Sequence, residues 1–273
     1  MVRCSAGGRS SALAALQWNP GRAIVSGQVT IGRSHEEASL EAAVFWSHRA
    51  EEAIAQRGRF IVAISGGTTP RRLFELLAVS PGIDWARCHI FWADERMAPS
   101  DDVISNFRLG WDALLSRVPI HSEQMHRVPT EIGDASAVAA SYQATLLGSL
   151  SLGLFDRPRF DLVLLGLGAD GHIASLFPGC SSLREERRLV VSSPPGALPP
   201  PVDRVTMTLP VINSARAIAF LVTGSDKADV LSRALRGDAD LPASRVGPSD
   251  GVLRWFVDED AAGRPAERDT PGR

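Results

Sequence analysis

Leu162-Val163-Leu164-Leu165-Gly166-Leu167-Gly168-Ala169-Asp170-Gly171-His172-Ile173-Ala174-Ser175-Leu176-Phe177-Pro178-Gly179 is the stretch whose reading decides the fold. Its first four residues are apolar without polar alternation, the pattern of a strand covered on both faces, as in a parallel sheet. The run stops at a glycine. Three glycines then surround an acid and a histidine two residues apart, so a tight turn at the strand's carboxyl end can aim both side chains into one cavity.

The same alternation continues on either side. Apolar strands are expected at 60–64, 88–93, 217–222 and 252–257, with shorter segments at 189–192 and 205–208. Between them, helical spacing of apolar residues predicts helices over 36–56, from Pro70 through Leu77, over 103–115, 135–147 and 226–235. Buried strands alternating with amphipathic helices imply an α/β fold, an open and mostly parallel sheet with helices on both faces, Rossmann-like in its layering. Ligands in such sheets bind outside the carboxyl ends of the strands. The loops at Ser65, Asp94, Gly166 and Thr223 are therefore the places to search.

With 273 residues, 44% of them hydrophobic and 22% charged, the chain can bury one large core. A single domain is expected over 25–273, preceded by a flexible tail over 1–24 that contains Ser10, Ser11 and Gly7, Gly8 and Gly21. A formal net charge of -2 supplies no basic stripe for nucleic acid. No apolar run is long enough to span a membrane. The three cysteines, Cys4, Cys88 and Cys180, show no paired or metal-ligand spacing and are expected as free thiols in a reducing, cytoplasmic setting. A monomer or small homo-oligomer is expected.

The strand-end loops carry the candidate chemistry. Ser65-Gly66-Gly67-Thr68-Thr69 leads into Pro70 at a helix start. Glycines there allow close approach, hydroxyls donate hydrogen bonds, and the unpaired helix amides favour an anion such as phosphate. Asp94-Glu95-Arg96 puts three charges at a strand end, where they must line a polar crevice; the arginine can clamp an anion while the acids bind sugar hydroxyls or orient a base. Asn106 follows nearby. The reference pKa of histidine, about 6.5, suits His172 to accepting a proton from water, while Asp170 either orients the imidazole or binds ligand hydroxyls. Lys227, the only lysine among 29 basic residues, sits in Thr223-Gly224-Ser225-Asp226-Lys227 at another strand-to-helix junction. Arg204 opens a short strand and is a second phosphate-ligand candidate. His35, His48, His89, His121 and His126 lack metal-ligand spacing, so no metal and no cofactor are expected, and His121 and His126 are assigned to an inter-helix loop.

Taken together, SGGTTP at 65–70, DERMAP at 94–99, SNF at 105–107, GLGADGHIASLFPG at 166–179, RVT at 204–206 and TGSDK at 223–227 resemble the 6-phosphogluconolactonase family, within the broader group that includes glucosamine-6-phosphate deaminase. The resemblance spans roughly residues 25 to 260. It implies cofactor-free hydrolysis of a small phosphorylated sugar lactone, 6-phospho-D-glucono-1,5-lactone, in the oxidative pentose phosphate pathway. It also implies that His172 is the water-activating base, that Arg96 belongs to the catalytic set, and that Arg204 and Lys227 bind phosphate. Phe107 stands where the family more often has tyrosine or tryptophan. Two other readings stand beside this one. In the deaminases the histidine loop continues into a stretch bearing a carboxylate, whereas here it reads Ser175-Leu176-Phe177-Pro178. A non-catalytic sugar-phosphate sensor would keep the phosphate loop without the Asp170 and His172 pair.

Overall fold

Strand β2, Phe60–Ile64, is buried at every position, and so are β6, Leu162–Leu165, and β9, Ala217–Val222. Side chains on both faces of these strands need cover, which only a central place in a helix-flanked sheet provides. The computed structural model describes residues 27–153, 156–197 and 199–263. In it these strands join β1 (Gln28–Gly32), β3 (Cys88–Trp92), β5 (Met125–His126) and β10 (Val252–Asp258) in a seven-stranded sheet, ordered β1-β10-β9-β6-β2-β3-β5. Every neighbouring pair is parallel. The expected mostly parallel α/β architecture is therefore present; the expected tail over 1–24 lies outside the described residues.

The strand order positions the site. From β2 the chain moves outward through β3 to β5, then returns to β6 on the other side and moves outward through β9 to β10. The carboxyl ends of β2 and β6 thus flank the point where the winding reverses, the crevice in which open α/β sheets bind ligands. The loops following β3 and β9 border it on either side.

The helices follow from local signals. Helix α1, His35–Arg57, starts at Ser34, whose side chain accepts the Glu37 amide, and ends at Gly58 in the left-handed region. Helix α2, Pro70–Val79, begins on a proline that needs no amide partner. Helix α3 is shorter than the expected 103–115: Ser105 caps it and it covers Asn106–Ala113, followed by a 3-10 turn, Leu115–Arg117. Helix α4 covers Ala135–Ser149, with Asp134 capping two amides. A short α5, Leu209–Asn213, precedes β9. A 3-10 turn, Ser225–Lys227, comes before α6, Ala228–Leu235, so the expected helix from 226 begins two residues later.

Three expectations need correction. Asp94–Arg96 is not an open loop but a short strand, β4, paired antiparallel with β8, Arg204–Met207, which in turn pairs with β7, Val190–Ser193. This small second sheet is stitched to the large one at Ala93, whose amide donates to Ile64 O and whose carbonyl accepts from Met207 N. Next to it, the buried Tyr142 hydroxyl receives the Trp92 amide at 2.8 Å and donates to the Trp92 carbonyl at 3.0 Å, fixing the strand just before the charged segment. Second, β1 was not expected, because Gln28 and Thr30 interrupt its apolar run and it is only partly buried. Third, His126 lies on the edge strand β5 beside Phe91 of β3, rather than in an inter-helix loop.

The place of His126 on β5 has a measurable consequence. His126 Nε2 lies 3.2 Å from His89 Nδ1, its own Nδ1 lies 3.2 Å from Ser149 Oγ, and its ring stacks 4.2 Å from the Phe91 ring. Burial, reinforced by the neighbouring His89, pushes its pKa from 6.5 down to about 4. Between those values the unfolded chain holds more protons than the folded one, so this contribution to stability is complete above pH 6.5 and is lost as pH falls toward 4. Urea unfolding at neutral and mildly acidic pH should show that loss, and His126→Gln should shrink it. An unaltered pH slope in the variant would contradict the assignment.

Candidate active site

The four loops singled out above converge on one cavity of about 460 Å3. Ser65, Gly66, Gly67, Thr68 and Thr69 line it from the end of β2. Gly66 is required by space: a Cβ there would fall 1.8 Å from Asn106 Oδ1. Asn106 thus packs directly on the backbone of the glycine turn. Ser65 Oγ and Asn106 Oδ1 are buried without a hydrogen-bond partner among the described residues. Unpaired buried polar atoms are costly, so their presence in a cavity wall suits a ligand that hydrogen-bonds them.

His172 enters from the loop after β6. Its Nδ1 lies 2.5 Å from Asp170 Oδ1, and its backbone amide donates to the same oxygen at 3.1 Å. Partial burial raises the Asp170 pKa, but the hydrogen bond from His172, its charge and the backbone amides outweigh that, leaving the carboxyl below its ordinary value. An ionised carboxylate only accepts, so the neutral form of the imidazole carries its proton on Nδ1 and leaves the lone pair on Nε2. Gly168 makes this contact possible, since a Cβ there would lie 2.1 Å from His172 Nδ1. Phe177 covers the imidazole with ring centroids 4.9 Å apart. His172 lines the cavity; Asp170 stands behind it and touches it through the imidazole.

The charged strand β4 divides its labour. Asp94 lines the cavity, with Oδ2 accepting from Ser175 Oγ at 2.6 Å and its carbonyl accepting from Asn106 Nδ2 at 2.8 Å. Ser175 N also donates to Thr206 Oγ1 at 3.2 Å, so the histidine loop is tied to both β4 and β8. Arg96 lines the cavity too, anchored through Nη1 to Ile104 O at 2.7 Å. Glu95 does not reach the lining. It is buried and accepts from Ser105 Oγ and from the amides of Arg96, Asn106 and Phe107, so it holds the amino end of α3 rather than a sugar hydroxyl. Burial pushes its pKa up, partly offset by the Asn106, Arg96 and Phe107 amides, with the Asp94 charge pushing further up.

Arg204 also stands behind the lining. It is directly opposite Arg96 in the antiparallel ladder, 4% exposed, and donates through Nη2 to Pro200 O at 2.8 Å. Burial, then the Arg96 charge, lower its pKa, while Asp94 and Glu95 counteract them. Its Nη1 is buried without a hydrogen-bond partner among the described residues, and the side chain stands outside the cavity lining. Lys227 does line the cavity, with Nζ 3.2 Å from Asp226 Oδ2. Asp226 is largely exposed, so this ion pair is weak and yields readily to a ligand anion. The turn that carries Lys227 is fixed from β10: Asp258 accepts the Gly224 amide at 3.0 Å and the Ala261 amide at 2.8 Å.

Two contributors escaped the sequence reading. Asp258 gave no signal, because a single acid at a strand end has no motif around it. His35 was set aside for lack of metal-ligand spacing, yet it lines the cavity with Nε2 2.9 Å from Thr69 O. Its position at the start of α1 would have been informative had β1 been recognised, since a parallel β1 delivers the start of α1 to the ligand-binding edge of the sheet. Among the described residues no three His, Cys, Asp or Glu side chains gather to hold a metal ion, and no helix is long and apolar enough to cross a membrane.

Comparison with known proteins finds the family described as glucosamine-6-phosphate isomerases/6-phosphogluconolactonase matching residues 33–255. The chain is 36% identical over 246 residues to 6-phosphogluconolactonase 3, chloroplastic, of Arabidopsis thaliana, covering 87% of this chain and 75% of that one. Among solved structures it is similar to 6-phosphogluconolactonase from Trypanosoma cruzi, with a TM-score of 0.78 and 27% identity over 90% of this chain and 99% of that one. The enzyme from Thermotoga maritima gives a TM-score of 0.75 and 28% identity over 85% and 100%. A monomeric glucosamine-6-phosphate deaminase shares the fold at 22% identity, with a TM-score of 0.73 over 86% and 99%.

The glycine geometry is directly testable. Gly168→Ala should leave the chain folded, as judged by circular dichroism, but displace the imidazole from Asp170. The downfield proton resonance of a hydrogen-bonded imidazole Nδ1–H should then disappear, as it should in Asp170→Ala. Persistence of that resonance in Gly168→Ala would show that the turn accommodates a side chain.

Proposed function

Because the chain belongs to the family of glucosamine-6-phosphate isomerases and 6-phosphogluconolactonases, we propose that it hydrolyses 6-phospho-D-glucono-1,5-lactone to 6-phospho-D-gluconate in the oxidative pentose phosphate pathway. The observation that carries this reading is the pairing of His172 with an ionised Asp170 on a cavity that also holds the 65–69 loop and Lys227.

In the proposed reaction the phosphate rests on the 65–69 loop and Lys227, where α2 amides and one cation attract a dianion. That anchorage presents C1 of the lactone to His172. Nε2 takes a proton from water as the water oxygen bonds to C1, and Asp170 stabilises the imidazolium that forms. Arg96, which lines the same cavity, meets the tetrahedral oxyanion. Collapse breaks the bond from C1 to the ring oxygen, which receives the proton from His172; the new carboxylic acid then ionises in water. Asp94 and Asn106 accept hydroxyl hydrogens of the sugar, and Glu95 and Arg204 support β4 from behind.

The stretch 175–178 favours a lactone over an aminosugar. Ser175 is engaged with Asp94 and Phe177 with His172, and neither can supply the carboxylate that the deaminases carry there. The free thiols Cys88 and Cys180 fit a reducing compartment, and we assign the enzyme to the cytoplasm as a monomer or small homo-oligomer.

A coupled assay with freshly generated lactone, corrected for spontaneous hydrolysis, tests the reading. His172→Ala should lower kcat by roughly 10²- to 10⁴-fold in a protein that remains folded, and unchanged turnover would eliminate the base. Lys227→Ala should act mainly by raising KM, as expected for a contact made equally in ground and transition states; an unchanged KM would remove Lys227 from the phosphate site. Ammonia release from glucosamine 6-phosphate at a comparable rate would instead favour the deaminase reading.

A further inference from the structure

The cup formed by residues 65–69 is thinly supported from within. Gly67 stands at a φ of 96°, and Thr69, the residue preceding α2, makes no side-chain capping bond. A backbone bond across the turn, Arg71 N to Thr68 O, is long at 3.3 Å. An anion-binding loop of this kind keeps its amides aimed only if something outside it fixes the backbone.

Two contacts from the start of α1 reach the start of α2. His35 Nε2 lies 2.9 Å from Thr69 O. One residue on, Glu36 takes a two-pronged bond from Arg72, at 2.5 Å from Nε and 2.8 Å from Nη2. The ion pair is solvent-exposed, with 40% of the Arg72 and 57% of the Glu36 side chain accessible, so it contributes little. The His35 contact is different: it is partly buried and lies in the cavity wall itself. A carbonyl only accepts, so Nε2 carries the proton in this contact.

We propose that His35 is a positioning residue of the anion cup, its imidazole holding the Thr69 carbonyl so that residues 65–69 keep a ligand-ready shape before the phosphate arrives. The proposal rests on the sugar-phosphate reading of the site, and it concerns binding rather than the bond-making step. Removing one hydrogen bond of ordinary strength should weaken anion affinity about 3- to 10-fold. The rate of the bound complex should stay within about twofold of the parent.

The test compares His35→Gln, whose side-chain amide can place a donor where Nε2 stood, with His35→Asn, which is too short to reach Thr69. KM and kcat for the lactone are measured beside the dissociation constant of inorganic phosphate by calorimetry, at a temperature where circular dichroism shows all proteins folded. The expected result is a raised KM and a weakened phosphate affinity in Asn, both recovered in Gln, with kcat preserved throughout. An Asn variant indistinguishable from the parent, equal loss in both variants, or a fall in kcat with KM unchanged would each overturn the role. Phosphate binding keeps this separate from the reaction itself: a parent that binds phosphate without opening the lactone would sink the lactonase reading and leave His35 testable. A parent that does neither would sink both.

Discussion

The contact between His172 Nδ1 and the Asp170 carboxylate is the interaction from which the proposed chemistry follows. It fixes the tautomer, and the tautomer decides whether the imidazole offers a lone pair or a proton to the cavity. The carboxyl is held below its ordinary pKa despite partial burial, so it remains an acceptor at neutral pH. Two residues apart in sequence, these groups meet only because Gly168, just ahead of them in the loop, carries no side chain. A methyl group there would occupy the space of the ring.

A second constraint places that pair against the substrate. Charges at the end of a central strand are expensive unless each finds partners. In β4 the cost is offset in three ways: Glu95 is saturated by amides of α3, Arg96 is tethered to Ile104, and Asp94 joins Asn106 to Ser175. Through Asp94 the glycine cup, the start of α3 and the histidine loop become one polar knot. Arg204 sits behind this knot, opposite Arg96 in the ladder and tethered to the Pro200 carbonyl. Precision in such a site comes from side chains that hold one another, as well as from those that face the ligand.

Much of this was legible in the residues. The uninterrupted apolar runs at 60–64, 162–165 and 217–222 could only be covered strands, and glycine at their ends located the crevice. The facing of His172, Arg96 and Lys227 onto one cavity follows from a parallel sheet, which brings every strand's carboxyl end to the same edge. What stayed hidden depends on distant pairing. Asp94–Arg96 forms a strand because β8, more than a hundred residues later, supplies its partner, and no local periodicity reports that. Glu95 and Asp94 are adjacent and both acidic, yet one faces the cavity and the other the start of α3; the alternation of a strand decides this, and a loop reading cannot. His35 was invisible for a related reason, since its place depends on β1, whose polar residues obscure it.

The orientation of the substrate is the claim on which the mechanism stands, and a structure with bound 6-phosphogluconate tests it most directly. The account predicts the phosphate against residues 65–69 and Lys227, with the carboxylate carbon within direct or single-water reach of His172 Nε2. A phosphate bound beside His172, with the carboxylate at the far end of the cavity, would contradict it.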